Sequence, residues 1–111
     1  MPPLRGKHLN INQLRSLFNS GSVRWTNHIM VRLFQRGIHM DDVKCALNNG
    51  EIIERYPDDY PYPGCLVVGH TIAHKPLHTV CGIGENELWL ITAYHPDAQE
   101  WDSGYKLRRG E

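Results

Sequence analysis

Cys65-Leu66-Val67-Val68-Gly69-His70-Thr71-Ile72, the turn His74-Lys75-Pro76, then Leu77-His78-Thr79-Val80-Cys81-Gly82-Ile83: two runs rich in β-branched and apolar residues flank a proline-bearing link. Each run has the length and composition of a strand, and Pro76 bars a helix through both. A link this short joins antiparallel strands. Working outward, Leu88 to Tyr94 follows the turn Gly84-Glu85-Asn86 as another strand. Upstream, Ile52 to Tyr56 precedes Pro57-Asp58-Asp59-Tyr60-Pro61-Tyr62-Pro63-Gly64, which is too rich in proline to be helix and reads as a stiff, extended connection. Residues from 51 onward therefore predict an antiparallel sheet of about four strands.

Before residue 50 the apolar period changes from that of strands to that of helices. Asn10 or Asn12 can cap a helix carrying Leu14, Leu17 and Phe18, which ends at Asn19-Ser20-Gly21. Thr26 or Asn27 caps a second helix running to Gly37. At about 100° per residue, Ile29, Met30, Leu33 and Phe34 share one side, expected to be core, while His28, Arg32 and Arg36 follow the other. Asp41-Asp42 place negative charge at the start of a third helix through Val43, Ala46 and Leu47, closed by Asn48-Asn49-Gly50. Helices grouped ahead of an antiparallel sheet predict an α+β fold with the helices on one sheet face.

A length of 111 residues supports one core and one domain. Residues 1–22 read as an N-terminal extension with the first helix, and 23–109 as a single α+β domain. The composition, 41% hydrophobic and 22% charged, is that of an ordinary globular chain. No apolar run approaches the roughly 20 residues that span a bilayer, and the first residues lack the apolar centre of a secretion signal, so a cytoplasmic protein is expected. Cys45, Cys65 and Cys81 form no CxxC pair and are odd in number, which favours buried free thiols over a disulfide framework or a thiolate zinc site.

Charge is unevenly placed along a chain that is neutral overall. The first forty residues hold six Lys or Arg and no acid, whereas residues 41 to 102 hold eleven acids, and the tail turns basic again at Lys106, Arg108 and Arg109. If folding joins the N-terminal helices to the tail, they make a cationic patch that attracts phosphate.

Thr26-Asn27-His28, Arg32, Arg36-Gly37-Ile38, Gly50-Glu51-Ile52-Ile53-Glu54, Tyr56 through Gly69, Pro76-Leu77-His78 and Ile91 through Asp97 together resemble the bacterial family called domain of unknown function 4258. The likeness covers roughly residues 23 to 109. That family resembles the small toxins of toxin-antitoxin modules, the RelE, ParE and BrnT superfamily, many of which cut messenger RNA on a compact α+β scaffold without a metal. The resemblance implies that fold, no cofactor, RNA as substrate and an antitoxin protein as partner.

Metal-free RNA cleavage needs a base for the 2′-hydroxyl proton, an acid for the leaving oxygen and cations for the charge on phosphate. His28 and His78 are candidates for proton transfer. Glu54 is a candidate base if desolvated, and Tyr94 could orient a phosphate or a base. Arg32 and Arg36 carry the forked donors that suit phosphate, and Arg108 and Arg109 add a grip from the tail. Each has a structural alternative: a packed helix or sheet histidine, a glutamate in an ion pair, a core tyrosine, arginines paired with Glu51 or Glu54. Trp101 is expected to cover the edge of the core. His70, His74 and His78 are spaced by four, but Pro76 prevents the helix that would align them, so no metal site is expected. Beside the ribonuclease stands a second class, a non-catalytic module whose basic face binds nucleic acid or an acidic protein.

Overall fold

Asn10 accepts a hydrogen bond from the Gln13 N–H at 2.9 Å and so opens the first helix in the computed structural model, which describes residues 9–110. This helix, α1, spans Ile11–Asn19. A three-residue strand β1 (Val23–Trp25) follows, then α2 (Asn27–Arg36), whose cap Thr26 accepts from the Ile29 N–H at 3.2 Å. Gly37 ends α2 in the left-handed region at φ 66°, a conformation open to glycine without steric penalty. In front of α3 (Met40–Asn49), the Asp42 carboxylate accepts from the His39 N–H at 3.1 Å. Strands β2 (Glu51–Tyr56), β3 (Gly64–His70), β4 (Pro76–Gly84) and β5 (Glu87–Tyr94) complete the domain.

The strands form one sheet in the order β1-β5-β4-β3-β2. Four are antiparallel neighbours as expected, but β1 adds a fifth strand parallel to β5, with Val23 opposite Leu88 and Trp25 opposite Leu90. The sheet is therefore mixed, not purely antiparallel, and has five strands, not about four. Three residues show no alternation long enough to read, and their pairing partner lies over sixty positions away. The first hairpin also closes earlier than expected: β3 stops at His70, and Thr71 to Lys75 form the turn, with the Thr71 N–H donating to the Lys75 carbonyl at 2.8 Å.

Side chains alternate across the pleat, so the register sorts them into two faces. Cys65, Val67, Leu77, Cys81, Leu88, Leu90 and Ala93 join Leu14, Ile29, Leu33, Val43 and Leu47 of the three helices in one buried core. Gly69 belongs to that face, and a Cβ there would lie 2.8 Å from the Ala46 Cα, so α3 rests directly on the β3 backbone. Cys65 and Cys81 meet across the strands as thiols with their sulfurs 3.7 Å apart. On α2 only part of the apolar side is core. Ile29 and Leu33 are buried, but Met30 is partly open and Phe34 is 89% exposed, because Phe34 sits about 140° round the helix from Ile29, beyond the arc that faces the sheet.

The second face carries Leu66, Val68, His78 and Val80, and the chain after β5 crosses it. Trp101, 2% exposed, lies edge-on against the His78 ring with centroids 4.5 Å apart. The tail is tied further by a bridge between Trp101 and Arg108 and by the Asp102 carboxylate, which accepts from the Lys106 N–H at 3.1 Å. Among the described residues no helix is long and apolar enough to cross a membrane.

Candidate functional site

Two rows of side chains across the second face hold most of the chemistry. In one, Glu51, Val68, His78 and Tyr94 are register neighbours, and in the next Glu54, Leu66, Val80 and Thr92. A bulge at Ile53 brings Glu51 and Glu54 to the same face although they are three apart. Tyr56, two residues after Glu54, shares its face and donates from its hydroxyl to the Glu54 carboxylate at 2.6 Å.

From the tail Arg108 returns over this surface. Its guanidinium lies 4.6 Å from the centre of the Trp101 ring and donates two hydrogen bonds to Glu54, at 2.8 and 3.0 Å. The fork matches the carboxylate, which makes this pair stronger than a single-point contact. Arg108 holds the Glu54 carboxyl below its ordinary value, with burial opposing and the Tyr56 bond helping, so Glu54 is ionised at neutral pH. Burial, aided by the Glu54 charge, pushes the Tyr56 phenol up, and burial does the same for Tyr94. Both phenols therefore keep their protons.

His78 is wholly buried. Its Nε2 lies 2.8 Å from the Tyr105 carbonyl, which only accepts, so Nε2 carries the proton and Nδ1 is left to accept from the Tyr94 hydroxyl at 3.4 Å. Burial holds the imidazole below its ordinary value of 6.5, with the Tyr105 bond opposing. The unfolded chain takes up a proton on this histidine near 6.5 while the folded chain resists until lower pH. Stability from this group is thus complete above 6.5 and falls as pH drops through that value. The midpoint of urea unfolding is expected to be lower at pH 5 than at pH 7.5, by less in His78→Gln. An equal fall in both proteins would place the effect elsewhere. Glu54, whose folded value is also depressed, adds to the loss only below about 4.5.

The predicted candidates thus divide. His78, Glu54, Tyr94 and Arg108 come together on the second face. His28 and Arg32 lie on α2, on the other side of the sheet, with His28 exposed and Arg32 donating to Gln35 at 3.1 Å. Arg36, at the end of the same helix, reaches round the sheet edge, where β5 outruns β1, and donates to the Ala93 carbonyl at 2.8 Å and the Thr92 hydroxyl at 3.2 Å. It flanks the Glu54 row from the opposite end. Arg109 turns away and donates to the Ala98 carbonyl at 2.8 Å. The tail and the N-terminal helices do not merge into one cationic patch: Lys106 pairs with Glu51, Arg108 with Glu54 and Arg24 with Glu87.

Sequence reasoning missed Tyr56, although its i, i+2 spacing from Glu54 on a strand was a signal that the two share a face. Nothing in the sequence pointed to the Tyr105 carbonyl. Among the described residues no three His, Cys, Asp or Glu side chains cluster as metal ligands would, and His70 and His74 lie on the exposed end and turn of the hairpin. The family model for the domain of unknown function DUF4258 matches residues 25–95, so Trp101, Tyr105 and Arg108 lie beyond the matched segment. No curated protein and no solved structure matches the chain.

Proposed function

The chain belongs to the family of the domain of unknown function DUF4258, and from that premise we propose that it is a metal-independent ribonuclease of the RelE/BrnT toxin kind, acting on messenger RNA and restrained by an antitoxin protein. The observation that carries this reading is the meeting of a carboxylate, a forked cation and two protonated phenols on one sheet face: Glu54, Arg108, Tyr56 and Tyr94. In this scheme the 2′-hydroxyl oxygen attacks the adjacent phosphorus, Glu54 takes the hydroxyl proton, and the bond to the 5′-oxygen breaks, leaving a 2′,3′-cyclic phosphate. Arg108 meets the phosphate oxygens. A guanidinium drawn to phosphate leaves Glu54 with less to lower its basicity, so the substrate itself makes the base stronger. Tyr94, its hydroxyl turning from His78 Nδ1, supplies a proton to the leaving oxygen, while His78, sealed beneath Trp101, positions Tyr94 and touches no substrate.

Glu54→Gln keeps the shape and removes the base, and is expected to slow cleavage of a short RNA by about 10²- to 10⁴-fold. The matching DNA, which lacks the 2′-hydroxyl, is expected to stay intact. Gel analysis of the products, with mass spectrometry of the ends, reads both. Intact RNA after long incubation with folded wild-type protein would retire the enzyme. One observation favours the alternative of a non-catalytic binding module: Glu54 is engaged by both Arg108 and Tyr56. In that case Glu54→Gln would leave RNA binding and integrity unchanged.

A further inference from the structure

Farther along the same face lies a hollow that the proposed chemistry does not use. Its floor follows from sequence. Gly64 and Gly82 are paired across β3 and β4, and Gly82 is also opposite Trp89 on β5. Two glycines side by side leave no side chain over the strands, and the proline-rich loop closes in above them: a Cβ at Gly82 would lie 3.0 Å from the Pro63 carbonyl oxygen. A Cβ at Gly84 would strike the Tyr62 ring, so the missing side chain there lets that ring lie against the end of β4. Tyr62 and Trp89 pack together with centroids 5.4 Å apart. The result is a half-enclosed cavity of about 150 Å³ walled by Tyr60, Tyr62, Val80, Trp89 and Ile91, with Asp59 at its side. Ile91 is there because the β4–β5 register slips between Val80 and Cys81, leaving Ile91 without an opposite residue.

The contents suited to this cavity follow from its walls. A space of this order admits one compact group, about the size of a benzene ring. Three aromatic side chains line it, and aromatic rings attract cations. Asp59 contributes to none of the ion pairs among the described residues, and its Oδ2 points to the floor, 3.7 Å from where a Gly64 Cβ would stand. Asp58 lies beside Asp59 in the loop and Glu85 stands at the β4–β5 turn, while Glu87 there is paired with Arg24. A phosphate or a carboxylate would be repelled by Asp59 and its acidic neighbours, whereas a cation gains the Asp59 charge as a partner. The Arg24 guanidinium, paired with Glu87, lies 5.5 Å from the centre of the Trp89 ring without being a wall of the cavity. Tyr60, 95% exposed at the mouth, leaves the entrance open and can lie against the stem of a ligand.

We infer that this cavity binds the cationic head of an organic ammonium or guanidinium group, held among the rings of Tyr60, Tyr62 and Trp89 with Asp59 as its counter-ion. The class includes the side chains of arginine and of methylated lysine as well as free quaternary amines. The site adjoins the Glu54 row, which supplies Val80 as one wall, but its binding does not depend on RNA cleavage.

The test is a titration of the intact protein with choline and, in parallel, with 3,3-dimethylbutan-1-ol, its uncharged isostere. The indole N–H of Trp89, which donates to the Gly84 carbonyl at 3.1 Å, gives an NMR resonance beside the cavity. Choline is expected to shift that resonance and to bind roughly tenfold more tightly than the alcohol. Asp59→Asn, a substitution in an exposed loop, is expected to weaken choline severalfold and leave the alcohol unchanged. Acetyl-arginine amide and acetyl-trimethyllysine amide distinguish the sources: tighter binding of either than of choline puts the cation on a protein, the reverse on a small amine, and both support the site. Equal binding of choline and the alcohol, or no shift with any cation at millimolar concentration, would overturn it. So would preferential binding of cytidine, which would mark a nucleobase slot.

Discussion

Trp101→Ala is expected to destabilise the domain by about 4 kcal/mol and to lower its melting temperature by roughly 20 °C. Trp101 is 2% exposed, and its ring is the lid over the second face. It packs edge-to-face with His78, ring centres 4.5 Å apart, and carries the Arg108 guanidinium 4.6 Å from its own centre. Truncation removes the transfer energy of a large ring and leaves a void that a rigid sheet below cannot fill. It also loosens Arg108 from Glu54 and admits water to His78. Calorimetry measures the first effect. The second should appear in the NMR titration of the His78 ring, whose midpoint should move up from its depressed value toward the ordinary 6.5. Trp101→Phe, which keeps an aromatic lid, should recover about half the stability. A melting temperature within a few degrees of wild type would mean that the tail contributes little to the folded domain.

Gly69→Ala acts on the other face and by another route. The added methyl would meet the Ala46 backbone, with the carbonyl carbon at 2.7 Å and Cα at 2.8 Å, and no side chain can swing aside to relieve it. The helix must lift from the sheet. That loosens Val43, Ala46 and Leu47, all buried in the main core, and a loss of about 3 kcal/mol is expected, at the upper end for overpacking. Equilibrium urea unfolding of Gly69→Ala beside Gly37→Ala separates crowding from backbone conformation. Gly37 has φ 66° but open space around it, so alanine there should cost only about 1 kcal/mol. Equal losses at the two sites would contradict the close approach of α3.

The helices were legible because their ends are marked by chemistry that acts within a few residues. Asn10 and Thr26 are caps and Gly37 a left-handed terminator, each in the place its neighbours indicated. The four antiparallel strands were legible for the same reason, since turns and alternation are local. The fifth strand was not, because Val23, Arg24 and Trp25 acquire strand character only from β5. For the candidate site the residue types were readable and their company was not. Arg108 and Glu54 are 54 residues apart in the chain, and whether a tail arginine faces solvent or a carboxylate depends on where Trp101 anchors it. Phe34 shows the limit of helical periodicity, which gives direction around α2 but not the width of the surface that covers it.

The parallel pairing of β1 with β5 has a bearing on synthesis. Val23 must wait for Leu88, and at about 5–20 residues per second the 65 intervening steps take several seconds. During that interval α1 and α2 have emerged without the strands that bury Leu14 and Ile29, and the exposed segment already carries Phe34 and Met30. The nascent chain thus exposes the apolar sides of α1 and α2 before the strands that cover them exist, and β1 before the strand it pairs with.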